Sequence, residues 1–227
     1  MEKIVLVGAG WHCKVVADAL KLGSSFEIAG LIDLVPENKK DRVAGLRVLG
    51  DSNALPELFK SGIRSAFVAV GSLSPADCDK RIEIYESLKK AGFSIPSVVH
   101  PSAIISGSVS LAEGVFVGPG AVINPDSTVG ACAIINTRAV IEHDCSIGIF
   151  AHVAPGAAVC GCVSVGDRSH VGAGSVVKQH LAIGADCLIG AGGVVVKNVP
   201  DGVTAFGNPC RARSAPATKP RSPSRRD

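Results

Sequence analysis

His143 stands between Glu142 and Asp144 in the stretch Ile141-Glu142-His143-Asp144-Cys145, with Asn136 seven residues before it and His152 nine residues after. An imidazole that titrates near neutrality, held by a carboxylate, suits a general base taking a proton from an attacking amine or hydroxyl. A metal centre is the poorer reading, because the chain has no HxH or HExxH arrangement and the neighbours are apolar. His170 and His180 read as structural or solvated side chains.

A second chemical locus lies at the start. Gly8-Ala9-Gly10-Trp11-His12-Cys13-Lys14 follows an apolar strand pattern and opens a helical one. Glycines there let backbone N–H groups approach a phosphate, and a helix N-terminus favours its negative charge. Asp33 closes the next strand pattern 23 residues past Gly10, where a carboxylate meets ribose hydroxyls or a base. His12 and Lys14 extend the polar patch, and Gly71-Ser72 ends the third strand on the same carboxyl edge. Cys13 takes the place of the third glycine of a dinucleotide fingerprint, so the locus reads as a mononucleotide or sugar-nucleotide pocket.

The elements that must position these residues fall into two kinds. Stepping by six from Ile105 to Val195 meets only Ile, Leu or Val. That period fits neither an α-helix nor a simple strand, but it fits a solenoid with three hexads per triangular coil. At about 4.8 Å per coil, five coils make a prism roughly 24 Å long. This is the hexapeptide signature of a left-handed parallel β-helix. With no insertion in the register, an active site must lie on the prism's faces or against a neighbouring subunit.

Before it, strand patterns at Lys3–Val7, Phe26–Ile32 and Ser65–Val70 alternate with helical ones at Cys13–Leu22, Asp51–Lys60 and Pro75–Ala91. The alternation predicts a small Rossmann-like α/β domain over residues 1–97, followed by the β-helix over 98–213. Residues 214–227 are mostly Pro, Ser, Ala and Arg and read as a disordered basic tail.

Composition excludes several classes. With 47% hydrophobic and 19% charged residues among 227, the chain is not disordered. Nine aromatics against 26 glycines call for an aliphatic, closely spaced core. From Arg211 onward six Lys/Arg face one Asp, which leaves 17 basic against 19 acidic groups in the body and gives no case for nucleic acid. No apolar run approaches the roughly 18 to 20 residues of a membrane span, and no leader is apparent. Eight cysteines without a CxxC read as reduced, small hydrophobes of a cytoplasmic protein.

The layout resembles the left-handed β-helix acyltransferases, and more narrowly the nucleotide-aminosugar N-acetyltransferases and the related sialic acid O-acetyltransferases. The resemblance rests on Gly8–Val16, Ile135–Cys145, Phe150–Gly156, Pro200–Pro209 and the hexads. It implies His143 as catalytic base with Asp144 orienting it, and Asn136 and His152 lining the acetyl and acceptor pocket. Gly8, Gly10, His12, Lys14 and Asp33 are implied for the nucleotide sugar, and Gly207, Pro209 and Arg211, with His152, for coenzyme A. It further implies a homotrimer with acetyl-CoA as co-substrate in the groove between two prisms, and no metal. The family usually carries glycines where Trp11 and Cys13 stand here. The expected reaction is acetylation of a nucleotide-linked 4-amino-4,6-dideoxy sugar for bacterial surface glycans. Sialic acid O-acetylation, or a sugar-nucleotide-binding protein without activity, are the alternatives.

Overall fold

The structure is a computed structural model describing residues 1–23, 26–34 and 41–213. The expected tail at 214–227 lies outside the described residues.

In β1 (Glu2–Val7) the run Ile4-Val5-Leu6-Val7 is buried on both faces, as a parallel strand between two helical layers must be. α1 (Trp11–Gly23) follows, burying Cys13, Val16, Ala17 and Leu20 at helical spacing. Then come β2 (Phe26–Ile32), β3 (Arg42–Val43), β4 (Leu46–Gly50), α2 (Leu55–Lys60), β5 (Ser65–Val68) and α3 (Cys78–Lys90). The sheet order is β3-β4-β2-β1-β5, parallel except for the β3–β4 hairpin. Ile4 and Leu6 point toward α1, whereas Val5 and Val7 join Leu55, Ile84 and Leu88 of α2 and α3.

Three details differ from the sequence reading. The β3–β4 hairpin was not expected; it turns on Ala44 and Gly45, both at positive φ. The segment read as one helix over 51–60 is a 3-10 turn at Ser52–Ala54 followed by α2. Asp51 caps that turn, its carboxylate accepting from Asn53 N at 2.8 Å. β5 ends at Val68, because the chain leaves the sheet to cross beside the first glycine turn.

From β6 (Val98–Val99) onward the chain is a left-handed β-helix. Each hexad contributes a two-residue strand, and strands 18 residues apart pair in parallel, as Val122 with Val140 and Ile134 with His152. The second residue of each pair points inward, so Val117, Ile135, Val153 and Val171 are 0% exposed. Three residues past the inward aliphatics from Leu111 to Ile189 the backbone turns left-handed, at non-glycine residues such as Asp144, Phe150 and Cys162 as well as at glycines.

The residue before each inward aliphatic points outward, and the three faces differ. One carries Val98, Phe116, Ile134, His152 and His170, all buried, the first three packed with α1. The second carries Ser110, Thr128, Ser146 and Ser164, all exposed. The third carries Ile104, Val122, Val140, Ala158, Val176 and Val194, an aliphatic column left half-buried or exposed among the described residues.

Candidate active site

The glycine turn between β1 and α1 and the Gly71-Ser72 turn meet the prism around one cavity of about 690 Å³. Gly8, Gly10, His12, Asp33, Gly71 and Ser72 line it from the sheet's carboxyl edge, and Asn136 and His152 line it from the prism. Gly8 is required by its surroundings: at φ +115° a Cβ would stand 2.5 Å from Val70 Cγ2. At Gly10 a Cβ would meet nothing within 4 Å, so that turn is open toward a ligand. Lys14 is not among the lining residues; its Nζ lies 4.7 Å over the Trp11 ring.

A hydrogen-bond relay ties the cavity's two walls together. Asn136 Oδ1 accepts from Thr137 N at 2.8 Å, and Asn136 Nδ2 lies 3.0 Å from His152 Nε2. His152 Nδ1 stands 2.7 Å from Ser72 O, so Nδ1–H donates there and Nε2 accepts from the amide. His152 is therefore a neutral bridge with both nitrogens engaged, and its ring packs edge-on against His170 at 4.7 Å. Burial, then the neighbouring His170, lowers its pKa to about 3. His12 is lowered to about 4, by burial first and then by Arg81.

These shifts predict acid sensitivity. In the unfolded chain His152 titrates near its usual 6.5, while in the fold it refuses the proton until about pH 3. Its stabilisation is complete above pH 6.5 and declines as pH falls toward 3, by about 1.4 kcal/mol per pH unit. Urea midpoints at pH 7.5, 6 and 5 measure this, and His152→Gln flattens the slope by about one proton. An unchanged slope in that variant removes His152 from the account.

His143 and Asp144 occupy a different corner and do not line the cavity. His143 Nδ1 lies 2.7 Å from Asp144 Oδ2, both side chains half-exposed, so Nδ1–H donates to the carboxylate and Nε2 keeps its lone pair. Two coils hold this segment. Ser127 Oγ donates to Glu142 O and accepts from Cys145 N, and His143 O accepts from Cys162 N at 3.0 Å. Gly161, one coil on, lies directly against the imidazole: a Cβ there would stand 2.7 Å from both Cε1 and Nε2.

Cys162 brings a sulfur to within 4.8 Å of the His143 and Asp144 ligand atoms. Two ligands of one zinc ion stand roughly 3.3 Å apart, so the shorter His143–Asp144 approach is that of a directly hydrogen-bonded pair. All eight cysteines are free thiols. Burial raises Cys13 to about 11 and Cys132 to about 12, which makes both unreactive.

Gly207, Pro209 and Arg211 lie at the last coil, where Gly207 O accepts from Val194 N and Cys210 N donates to Val194 O. Arg211 is exposed on a short strand antiparallel to Thr204–Phe206. Sequence reading missed Trp11, Val15, Thr137 and Pro155 as cavity residues, and it missed Arg81. Arg81 of α3 is 2% exposed and donates to Phe150 O, Cys132 O and Ser72 Oγ.

A left-handed β-helix with a carboxylate-held corner histidine, joined to a small α/β domain, defines a hexapeptide-repeat acyltransferase. Known proteins narrow this. Residues 3–88 match the family described as the PglD N-terminal domain. A mutant of perosamine N-acetyltransferase from Caulobacter crescentus, solved with CoA and GDP-perosamine, is 40% identical over 94% of this chain and 98% of that one, with a TM-score of 0.88. The acetyltransferase domain of PglB from Neisseria gonorrhoeae, in complex with acetyl coenzyme A, is 32% identical over 93% and 99%, with a TM-score of 0.85. WeeI from Acinetobacter baumannii is 25% identical over 94% and 100%, with a TM-score of 0.80. No curated protein matches the sequence significantly. The chain belongs to the family of nucleotide-aminosugar acetyltransferases built on the left-handed β-helix.

Proposed function

We propose that the protein transfers acetyl from acetyl-CoA to the amino group of a nucleotide-linked 4-amino-4,6-dideoxyhexose, in the cytoplasm, for a bacterial surface glycan. The observation that carries this is the pairing of a nucleotide-sized cavity at a glycine turn with a solvent-facing histidine whose Nδ1 is committed to a carboxylate. The perosamine N-acetyltransferase, solved with GDP-perosamine and CoA, supports the same acceptor class. The glycine turn and Asp33 favour a nucleotide-linked acceptor over a free sialic acid.

The acceptor's amine attacks the thioester carbonyl, and His143 Nε2 takes the proton as the N–C bond forms. Asp144 steadies the resulting imidazolium. A backbone N–H of the adjacent coil, for which Gly161 beside the imidazole is our assignment, holds the oxyanion. Collapse breaks the C–S bond, and the imidazolium returns its proton to the leaving thiolate. No covalent enzyme intermediate is needed.

Because His143 does not line the cavity of its own chain, we place the complete site between protomers of a homotrimer. There the base of one prism meets the sugar held by another, with coenzyme A alongside Gly207, Pro209 and Arg211. The bare aliphatic column from Ile104 to Val194 supports this, since such a face is an interface in search of a copy. Val140→Glu puts a charge in its middle and is expected to convert trimer to monomer with unchanged circular dichroism and lost activity. Sedimentation velocity reads this, and a trimer that survives removes the column from the interface.

Thiol release from acetyl-CoA tests the reaction, with UDP-, dTDP- and GDP-linked 4-amino sugars alongside free and CMP-linked sialic acid. Turnover on one nucleotide 4-amino sugar supports the proposal, and turnover on sialic acid alone overturns it.

A further inference from the structure

We propose that Trp11 is the sugar-contacting wall of the cavity, stacking its indole on the apolar face of the deoxyhexose while Lys14 braces the ring; this rests on the nucleotide-sugar reading above. Trp11 is the chain's only tryptophan. It is the first residue of α1 and is 86% exposed, yet it lines the cavity. Scattered surface apolars are ordinary, but an indole left in water at a cavity mouth forgoes the largest apolar burial of any side chain. A ligand restores it.

The cavity's layout assigns which part of the ligand the ring meets. Its lining joins Asp33 and Leu34 at the end of β2, the glycine turn, and Thr137 and Pro155 of the prism. A diphosphate belongs at the turn, where Gly10 leaves open space and the N-terminus of α1 points. Asp33 on the far side suits the ribose or base. Val15 packs with Phe116 and Ile134 of the prism, and Trp11, four residues before it on the same face of α1, lines the cavity with it, which assigns this side to the hexose. His12, between them in sequence, keeps a buried Nε2 without a partner at the same wall, a further polar group awaiting a ligand.

A 4,6-dideoxyhexose presents a methyl group and a C–H-rich ring face, which suits an indole better than a fully hydroxylated sugar does. Lys14 Nζ, 4.7 Å from the ring centroid and three residues along α1, holds the indole by a cation–π contact.

The lone tryptophan makes the test direct. The full-length protein is titrated with GDP-, UDP- and dTDP-linked 4-amino-4,6-dideoxyhexoses and with free GDP, UDP and dTDP, following Trp emission and binding heat together. A nucleotide sugar that binds is expected to shift emission, while its free nucleotide binds without doing so. Trp11→Gly raises KM for that sugar about ten-fold with kcat within about two-fold, and Trp11→Phe restores most of the affinity.

Binding heat with unchanged emission and unchanged KM overturns the contact but leaves the nucleotide-sugar reading intact. An equal shift with the free nucleotide puts the ring on the nucleotide and overturns the sugar assignment. Emission that follows protein concentration instead of ligand shows a second copy covering Trp11, which overturns it too. No heat with any nucleotide sugar sinks the underlying reading itself.

Discussion

His143→Ala lowers acetyl transfer by about 10² to 10⁴-fold, the usual cost of losing a general base, while nucleotide-sugar affinity and the fold persist. Affinity is expected to survive because His143 does not line the cavity, and the fold because its half-exposed side chain packs no core. Two companions sharpen the assignment. Asp144→Asn keeps the left-handed backbone at φ 57°, which asparagine tolerates, and removes only the carboxylate. About 10- to 100-fold is then lost from kcat with little change in KM. Gly161→Ala leaves every polar group in place but forces the imidazole aside, since the new Cβ would stand 2.7 Å from Nε2. A displacement of about 1 Å is enough to cost about 10²-fold. Steady-state thiol release on the three variants decides the matter: an active Gly161→Ala would mean the ring's position above that glycine is not the reacting one.

Why His143 and its carboxylate could be singled out from the sequence while their place outside the pocket could not is a matter of coil geometry. The hexad pattern states which residues point inward, because an inward position tolerates only aliphatics; Ile105 to Val195 was therefore legible as a prism. The left-handed corner three residues later was not, because Cys132, Phe150 and Arg168 occupy it as readily as glycine does. Asn136, His143 and His152 lie close in sequence and invite one pocket. On an 18-residue coil, however, the 16 residues from Asn136 to His152 nearly close a turn, while the seven to His143 pass to the next corner. The β3–β4 hairpin stayed hidden for a different reason. Ala44-Gly45 is a weak turn signal, and Arg42–Val43 is too short to alternate.

Arg81 was the least legible of all, since an arginine on a helix reads as solvated. Here it lies under α3 with its guanidinium on Phe150 O at 3.2 Å and on Cys132 O, over the Phe150 ring at 5.4 Å, and reaches Ser72 Oγ at 3.4 Å. Among the described residues no carboxylate pairs with it and its Nε has no partner, and burial lowers its pKa. Two opposing effects set the outcome of Arg81→Met. Removing a buried charge gains stability, as with other buried ions replaced by apolar groups. Leaving Cys132 O without a donor, and Phe150 O with only the weak Cys78 thiol at 3.7 Å, costs about 1 to 3 kcal/mol each.

The carbonyls are expected to win, because they belong to rigid prism corners that cannot turn toward water. Arg81→Met is then less stable by about 2 to 4 kcal/mol in urea unfolding. It also loosens Ser72, whose backbone oxygen receives the His152 proton at the cavity wall, so KM for the nucleotide sugar rises more than kcat falls. A variant of higher stability and normal KM would instead show that the buried charge is a net burden and that the turn at Ser72 is held by His152 alone.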